Sequence, residues 1–170
     1  VEHFNGIYGN VFRMPEAYIP KTGARIMSLQ EPTKKMSKSD TNPNAFITIL
    51  DDPKVIVSKF RRAVTDSETE VCFREGKDGI NNLMTIYSAV TGMSFEQIEH
   101  DFEGKGYGDF KAEVGSAVAE KLRPIREKFA ELMADRSYLE QQCKIGAEKA
   151  AEISARTLSK VKKKVGLLLP

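Results

Sequence analysis

Cysteine is nearly absent from this 170-residue chain, and the two present, Cys72 and Cys143, lie far apart without CxxC spacing. That argues against a disulfide framework or a thiolate metal cage, and for reduced thiols in a cytoplasmic setting. Histidine is equally scarce. His3 and His100 have no cysteine or carboxylate pattern of zinc type around them, so no metal site is expected. No apolar run nears the ~20 residues needed to cross a bilayer, which removes a membrane span from the expectations. The opening Val1-Glu2-His3-Phe4-Asn5 lacks the charged and apolar regions of a secretory signal. Net charge is low as well: +2 is too little to argue for nucleic acid by itself.

What is present is the composition of a globular protein, 41% hydrophobic and 29% charged, enough to bury a core. Its length fits one ordinary domain, or one domain with a piece of another. Basic residues gather in two places. Lys21, Arg25, Lys34, Lys35 and Lys38 face only Glu31 and Asp40 over residues 21–40, and Lys160, Lys162, Lys163 and Lys164 crowd the C-terminal end. The second cluster suits a helix C-terminus, where cations are favoured.

The first cluster contains Lys34-Lys35-Met36-Ser37-Lys38-Ser39-Asp40, which follows a strand-like run, Ala24 to Leu29, and the turn-forming Pro32. Amines, hydroxyls and backbone N–H groups on a loop beside a strand end suit a polyphosphate. A solvated basic turn is the plainer reading of the same residue types. One short apolar strand cannot make a sheet, and its partners are not in the sequence. With no Met at position 1, a piece of a longer α/β protein is expected.

The rest reads as helix. Phe4, Ile7 and Tyr8 have helical spacing over residues 1–8, closed by Gly9, and Pro15 and Pro20 punctuate a loop. Residues Asp40 to Asn44 cluster turn formers, and Phe46 to Leu50 fits either a strand or a helical turn. Asp51-Asp52-Pro53 starts a helix with Val55, Ile56, Phe60, Ala63 and Val64 inward and Lys54, Lys59, Arg61 and Arg62 around them. Glu68 to Glu75 suits a short exposed strand. Ile80, Leu83, Met84, Tyr87 and Val90 form a helical stripe ended by Gly92, and Ser94 with Gln97 fits a capping box. A long helix from about Tyr107 to Ala134 is predicted to bury Phe110, Val114, Val118, Leu122, Ile125, Phe129 and Leu132 and to kink at Pro124. The last helix, from about Ser137 to Val165, is predicted to turn Leu139, Cys143, Gly146, Ala150, Ile153, Leu158 and Val161 inward, giving a bundle of about five helices.

The string Lys35-Met36-Ser37-Lys38-Ser39 resembles the second signature (KMSKS) of class I aminoacyl-tRNA synthetases. The wider run Gly23 to Asp40 resembles the bacterial tryptophanyl-tRNA synthetase family in particular. The likeness continues through Ala63-Val64-Thr65-Asp66-Ser67, Ser88 to Gly92 and Phe102-Glu103-Gly104-Lys105, and covers the C-terminal part of that family's length. It implies a mainly α chain: the end of a Rossmann-type α/β nucleotide-binding domain over residues 1–45, then a helical tRNA anticodon-binding domain over residues 46–170.

By the same resemblance, the chain belongs to an ATP-dependent ligase that activates tryptophan and transfers it to tRNA(Trp). Lys35 and Lys38 are implied as catalytic, and Ile26, Lys35, Met36, Ser37, Lys38 and Ser39 as ATP-binding, with Mg2+ accompanying ATP. The family's other signature cannot be built from His3 and His100, so this piece alone is expected to be inactive. The absence of Trp from the sequence has no bearing here, because the family's amino acid is a ligand. A homodimer is implied for the full-length family. Lys59, Arg61, Arg62 and Lys105 are candidates for tRNA phosphates, without assigned roles. Phe95, Phe102, Tyr107 and Phe110 read as core. Two alternatives stand beside this: a tyrosyl relative, and a non-catalytic helical RNA-binding or scaffold module whose basic loop is incidental.

Overall fold

A computed structural model describes residues 1–19, 23 and 25–167. Pro20, Lys21 and Ala24, which the sequence reading placed in a loop, a basic cluster and a strand, lie outside the described residues. Six helices occur among those described: α1 (Glu2–Tyr8), α2 (Pro53–Arg61), α3 (Asp78–Thr91), α4 (Phe95–Asp101), α5 (Tyr107–Ala134) and α6 (Arg136–Lys164). The chain divides into two compact units, residues 19–129 and residues 1–18 with 130–170. No helix among the described residues is long and apolar enough to cross a membrane.

The larger unit holds the core. Two of its helices start where a side chain satisfies free backbone donors. Asp52 accepts from the Lys54 amide at 2.8 Å, and Pro53, which has no donor to lose, fills the first helical position of α2. Ser94 and Gln97 form the predicted capping box at α4. Gly92, at φ 82°, ends α3 in the left-handed conformation that side-chain-bearing residues avoid.

From these helices Ile56 and Phe60 (α2), Ile80, Leu83, Met84 and Tyr87 (α3), Ile98 (α4) and Phe110 and Val114 (α5) meet in one cluster with Leu29. Tyr87, Phe102 and Phe110 pack edge-to-face, with ring centroids 4.8 to 6.0 Å apart. Full burial of a ring such as Phe110 contributes about 2–3 kcal/mol. Helix α2 approaches α5 closely at Gly115, where an added Cβ would lie 2.8 Å from Val57 Cα.

Several readings are corrected. The Ala24-to-Leu29 strand is, among described residues, a single antiparallel bridge, Met27 with Lys35. The other edge of the segment is met by the Asn82 side chain and by the backbone of Ala45 and Val64. Glu68 to Glu75 is irregular: Val71 is buried, whereas Phe73 stacks on Phe95 at 4.3 Å. Val55 and Val64 are exposed. Helix α5 has its predicted bounds and runs through Pro124, but only its first half is buried; Ile125 and Phe129 are exposed.

The smaller unit is locally built. Asn5 of α1 accepts from the Val11 and Phe12 amides and donates to the Phe12 carbonyl at 2.7 Å, so that Phe4 packs against Tyr8 and Phe12. Asp135 caps α6 through the Tyr138 amide. None of the residues of α6 is buried: of its predicted inward face, Ile153 and Leu158 are exposed, whereas Leu139 and Val161 are half-buried. Lys162, Lys163 and Lys164 occupy its last turn, where the free carbonyls favour cations.

Candidate functional site

The signature loop is fixed at both ends. On entry, Ser28 donates to the Lys34 carbonyl at 2.8 Å and Met36 donates to the Ile26 carbonyl at 3.0 Å. These two bonds flank Met27 and Lys35, which therefore form a non-hydrogen-bonded antiparallel pair. The turn between them closes through Lys34 N–H to the Glu31 carbonyl and through the Ser28 hydroxyl, which accepts from Gln30 and Glu31. On exit, Asp40 accepts from the Asn42 amide and Asn42 from the Asn44 amide, two consecutive Asx turns that lead into buried Ala45.

Between these fixed ends the three lysines differ. Lys34 is bound to Glu31 at 2.8 Å, and the Glu31 hydrogen bond and charge raise its pKa. Lys35 and Lys38 are exposed, and neither amine has a partner among the described residues. Ser37 and Ser39 share a hydroxyl hydrogen bond of 2.9 Å, and the Ser37 hydroxyl also accepts from the Ser39 amide. Met36 and Ile26 are half-buried and pack on the core, so they carry the loop on its root rather than point away from it. Two cations and two hydroxyls are thus presented together on a rooted turn. Chemically this can neutralise and hydrogen-bond a di- or triphosphate.

The proposed phosphate contacts on the helices separate differently. Lys59 is buried, bound to Asp51 at 2.6 Å and to the Phe46 carbonyl at 3.0 Å. Burial by itself raises the Asp51 pKa, but hydrogen bonds from Lys59 and Thr48 outweigh it and hold the carboxyl below its usual range. That cation is neutralised inside the fold and is corrected here from candidate contact to structural ion pair. Lys105 donates to the Asp101 carbonyl and covers the Phe102 ring. Arg61 and Arg62 are exposed. The aromatics behave as expected of core: Phe102, Tyr107 and Phe110 are buried, and Phe95 is half-buried against Phe73.

Sequence reasoning missed two polar groups. Lys77, just before α3, is buried and meets Glu68 at 2.7 Å and the Tyr107 hydroxyl at 2.6 Å, while that hydroxyl donates to Asp66 at 2.7 Å. Desolvation would lower the Lys77 pKa, but these partners raise it above its ordinary value. Asn82, on α3, is buried and bonded to the Met27 backbone. Its signal in the sequence was a carboxamide interrupting the Ile80–Leu83–Met84 apolar stripe.

Comparison with known proteins follows the same line. The family described as tRNA synthetases class I (W and Y) matches residues 1–123. The tryptophan–tRNA ligase of Clostridium acetobutylicum is 50% identical over 99% of this chain and 50% of its own length. That of Wolinella succinogenes is 51% identical over 98% of this chain and 51% of its own. The chain thus spans about half the length of the curated relatives it matches. Among solved structures, the tryptophanyl-tRNA synthetase of Mycoplasma pneumoniae superposes with a TM-score of 0.80 at 28% identity, over 98% of this chain and 51% of that one. The Campylobacter jejuni synthetase, solved with ADP and tryptophan, superposes at 0.66, also at 28% identity, over 96% and 50%.

Proposed function

Since this chain belongs to the class I tRNA synthetases of the tryptophan and tyrosine branch, we propose that it is the ATP-loop and tRNA-facing half of a tryptophan–tRNA ligase. The tryptophan specificity is favoured over the tyrosyl alternative by relatives at about half identity that are tryptophan–tRNA ligases. In the proposed reaction the tryptophan carboxylate attacks the α-phosphorus of ATP. The bond to the β-phosphate oxygen breaks, and pyrophosphate carries away the negative charge. Catalysis of this kind needs cations placed where charge accumulates.

Lys38 and Lys35 supply those cations in this reading. Ser37 and Ser39 donate hydrogen bonds, Met36 shapes the loop, and the Ile26 backbone lies along the adenosine. The observation that supports it is the contrast inside one turn: Glu31 occupies the Lys34 amine, while Lys35 and Lys38 are left without partners among the described residues. Magnesium would screen the phosphates, travelling with ATP.

Residues 1–45 are proposed as the end of the catalytic domain and residues 46–170 as the domain that meets the anticodon arm of tRNA(Trp). Cytoplasmic location and homodimerisation of the full-length ligase complete the proposal. The test is tryptophan-dependent pyrophosphate exchange by a full-length ligase carrying this chain as its C-terminal half. Lys38→Ala is expected to lower the rate roughly 10²- to 10³-fold. An unaltered rate would reject the loop assignment.

A further inference from the structure

Met27 sits opposite Lys35 in a non-hydrogen-bonded pair, and in such a pair the main-chain N–H and C=O of each residue point away from its partner. In a sheet, the outward groups of Met27 would be met by a neighbouring strand. Here a single side chain meets both. Asn82 Oδ1 accepts from the Met27 N–H at 2.9 Å, and Asn82 Nδ2 donates to the Met27 carbonyl at 2.9 Å. A main-chain donor and acceptor leave the carboxamide one orientation, with oxygen facing N–H and nitrogen facing C=O. The next outward residue, Leu29, is met by backbone instead: it donates to the Ala45 carbonyl at 3.0 Å and accepts from the Val64 amide at 2.7 Å.

The segment before the loop is therefore hydrogen-bonded along both edges. On one edge lie Lys34 and Met36; on the other lie Asn82, Ala45 and Val64. Asn82 is 5% exposed, deep enough that an amide without partners would carry a desolvation cost. No other side-chain hydrogen bond to the Met27 backbone exists among the described residues. Asn82 is rooted on α3, whose neighbours in sequence, Ile80, Leu83 and Met84, are fully buried. It thus ties the backbone opposite Lys35 to a fully buried part of the larger unit.

We infer that Asn82 is a positioning residue for the ligase reaction: its carboxamide stands in for a β-strand neighbour at Met27 and thereby sets the register, and so the placement, of Lys35 across the bridge. This rests on the assignment of Lys35 and Lys38 to ATP. It adds a residue of the helical part, 47 positions after Lys35, that acts on the reaction without touching the nucleotide. Displacement of a charged group by about 1 Å is enough to cost up to 10²-fold in rate.

The experiment uses the full-length ligase and a double-mutant cycle. Asn82→Leu removes both hydrogen bonds while keeping the number and branching of side-chain heavy atoms, and Asn82→Asp retains the acceptor for Met27 N–H while setting an oxygen against the Met27 carbonyl. Pyrophosphate exchange is measured for each variant in the native and the Lys35→Ala backgrounds. The expected result is a fall in kcat of roughly tenfold for Asn82→Leu, a fall for Asn82→Asp as well because an oxygen then faces the Met27 carbonyl, and an unchanged KM for tryptophan. In the Lys35→Ala background the Asn82→Leu effect should shrink below about twofold, because coupled residues do not add. Amide hydrogen exchange at Ser28 and Met36 should accelerate in Asn82→Leu. If Lys35→Ala is impaired but Asn82→Leu is not, or if Asn82→Leu costs the same in both backgrounds, the positioning role is overturned while the loop assignment survives. If Lys35→Ala and Lys38→Ala are both fully active, the loop assignment falls and takes this inference with it. Should Asn82→Leu fail to fold, the cycle with Asn82→Asp decides between the same outcomes.

Discussion

The lysines of the signature loop and the lysines beneath the helices carry the same charge, yet the chain treats them in opposite ways. Lys59 and Lys77 are buried, and each is met by a carboxylate: Asp51 for the first, Glu68 and Asp66 for the second. Lys35 and Lys38 stand on an exposed turn with no carboxylate partner among the described residues, although Glu31 and Asp40 are close in sequence. Glu31 is taken by Lys34, and Asp40 by the Asn42 amide. A cation whose charge is answered inside the fold stabilises the fold. One left unanswered on a rooted turn is available to a ligand.

This contrast is broken or sharpened first inside the loop itself. Replacing Lys38 by Ala in the full-length ligase should lower exchange by the two to three orders of magnitude given above, whereas Lys34→Ala should change it less than about threefold, since an exposed pair of this kind contributes little. Equal losses at both positions would erase the distinction. The next largest effect belongs to the buried cations. Asp51→Ala strands the Lys59 ammonium, and a denaturant titration should show about 2–3 kcal/mol of lost stability, below the value for a fully dry pair because water reaches part of both groups.

Some of this was legible in the sequence. The bounds of α5 and α6, the capping box at Ser94 and the Gly92 terminus followed from periodicity and local chemistry, because each depends on residues within one or two turns. The loop was legible as a motif. What stayed hidden involves partners distant along the chain. Asn82 is 55 residues from Met27, and Lys77 is 30 from Tyr107. The pairing of Lys59 with Asp51 crosses a helix start, so helical spacing made that lysine look solvated. The exposed face of α6 misled for the opposite reason: an amphipathic pattern states which side is apolar, not that anything covers it.

Smaller effects test how tightly the cations' scaffold is packed. Gly115→Ala would push a methyl into Val57 and Phe60 and should cost about 1–2 kcal/mol in the same titration. No measurable loss would mean that α2 and α5 can separate freely. The gentlest probe is acid. Asp51 and Asp66 both have pKa values held below 3.8; burial opposes this, and hydrogen bonds from Lys59 and Thr48, and from Tyr107, overcome it. Carboxylates lowered in this way add stability that is fully present above pH 3.8 and is lost as pH falls through their folded values. Thermal melts should therefore be flat with respect to these two groups from pH 6 to about 4 and decline below it. Replacing Asp51 by Asn should flatten that decline.

The signature turn, tied at Met36 and next meeting the core at Ala45, has the mechanics of a bucket handle. Lys38 is two residues from the first hinge, and an extended chain gains at most about 3.5 Å per residue. Its α-carbon can therefore sweep an arc of no more than roughly 7 Å about Met36, however freely the handle swings. Under the proposed function a triphosphate has to be delivered within reach of that arc, so the mounting of the handle limits where the nucleotide can react.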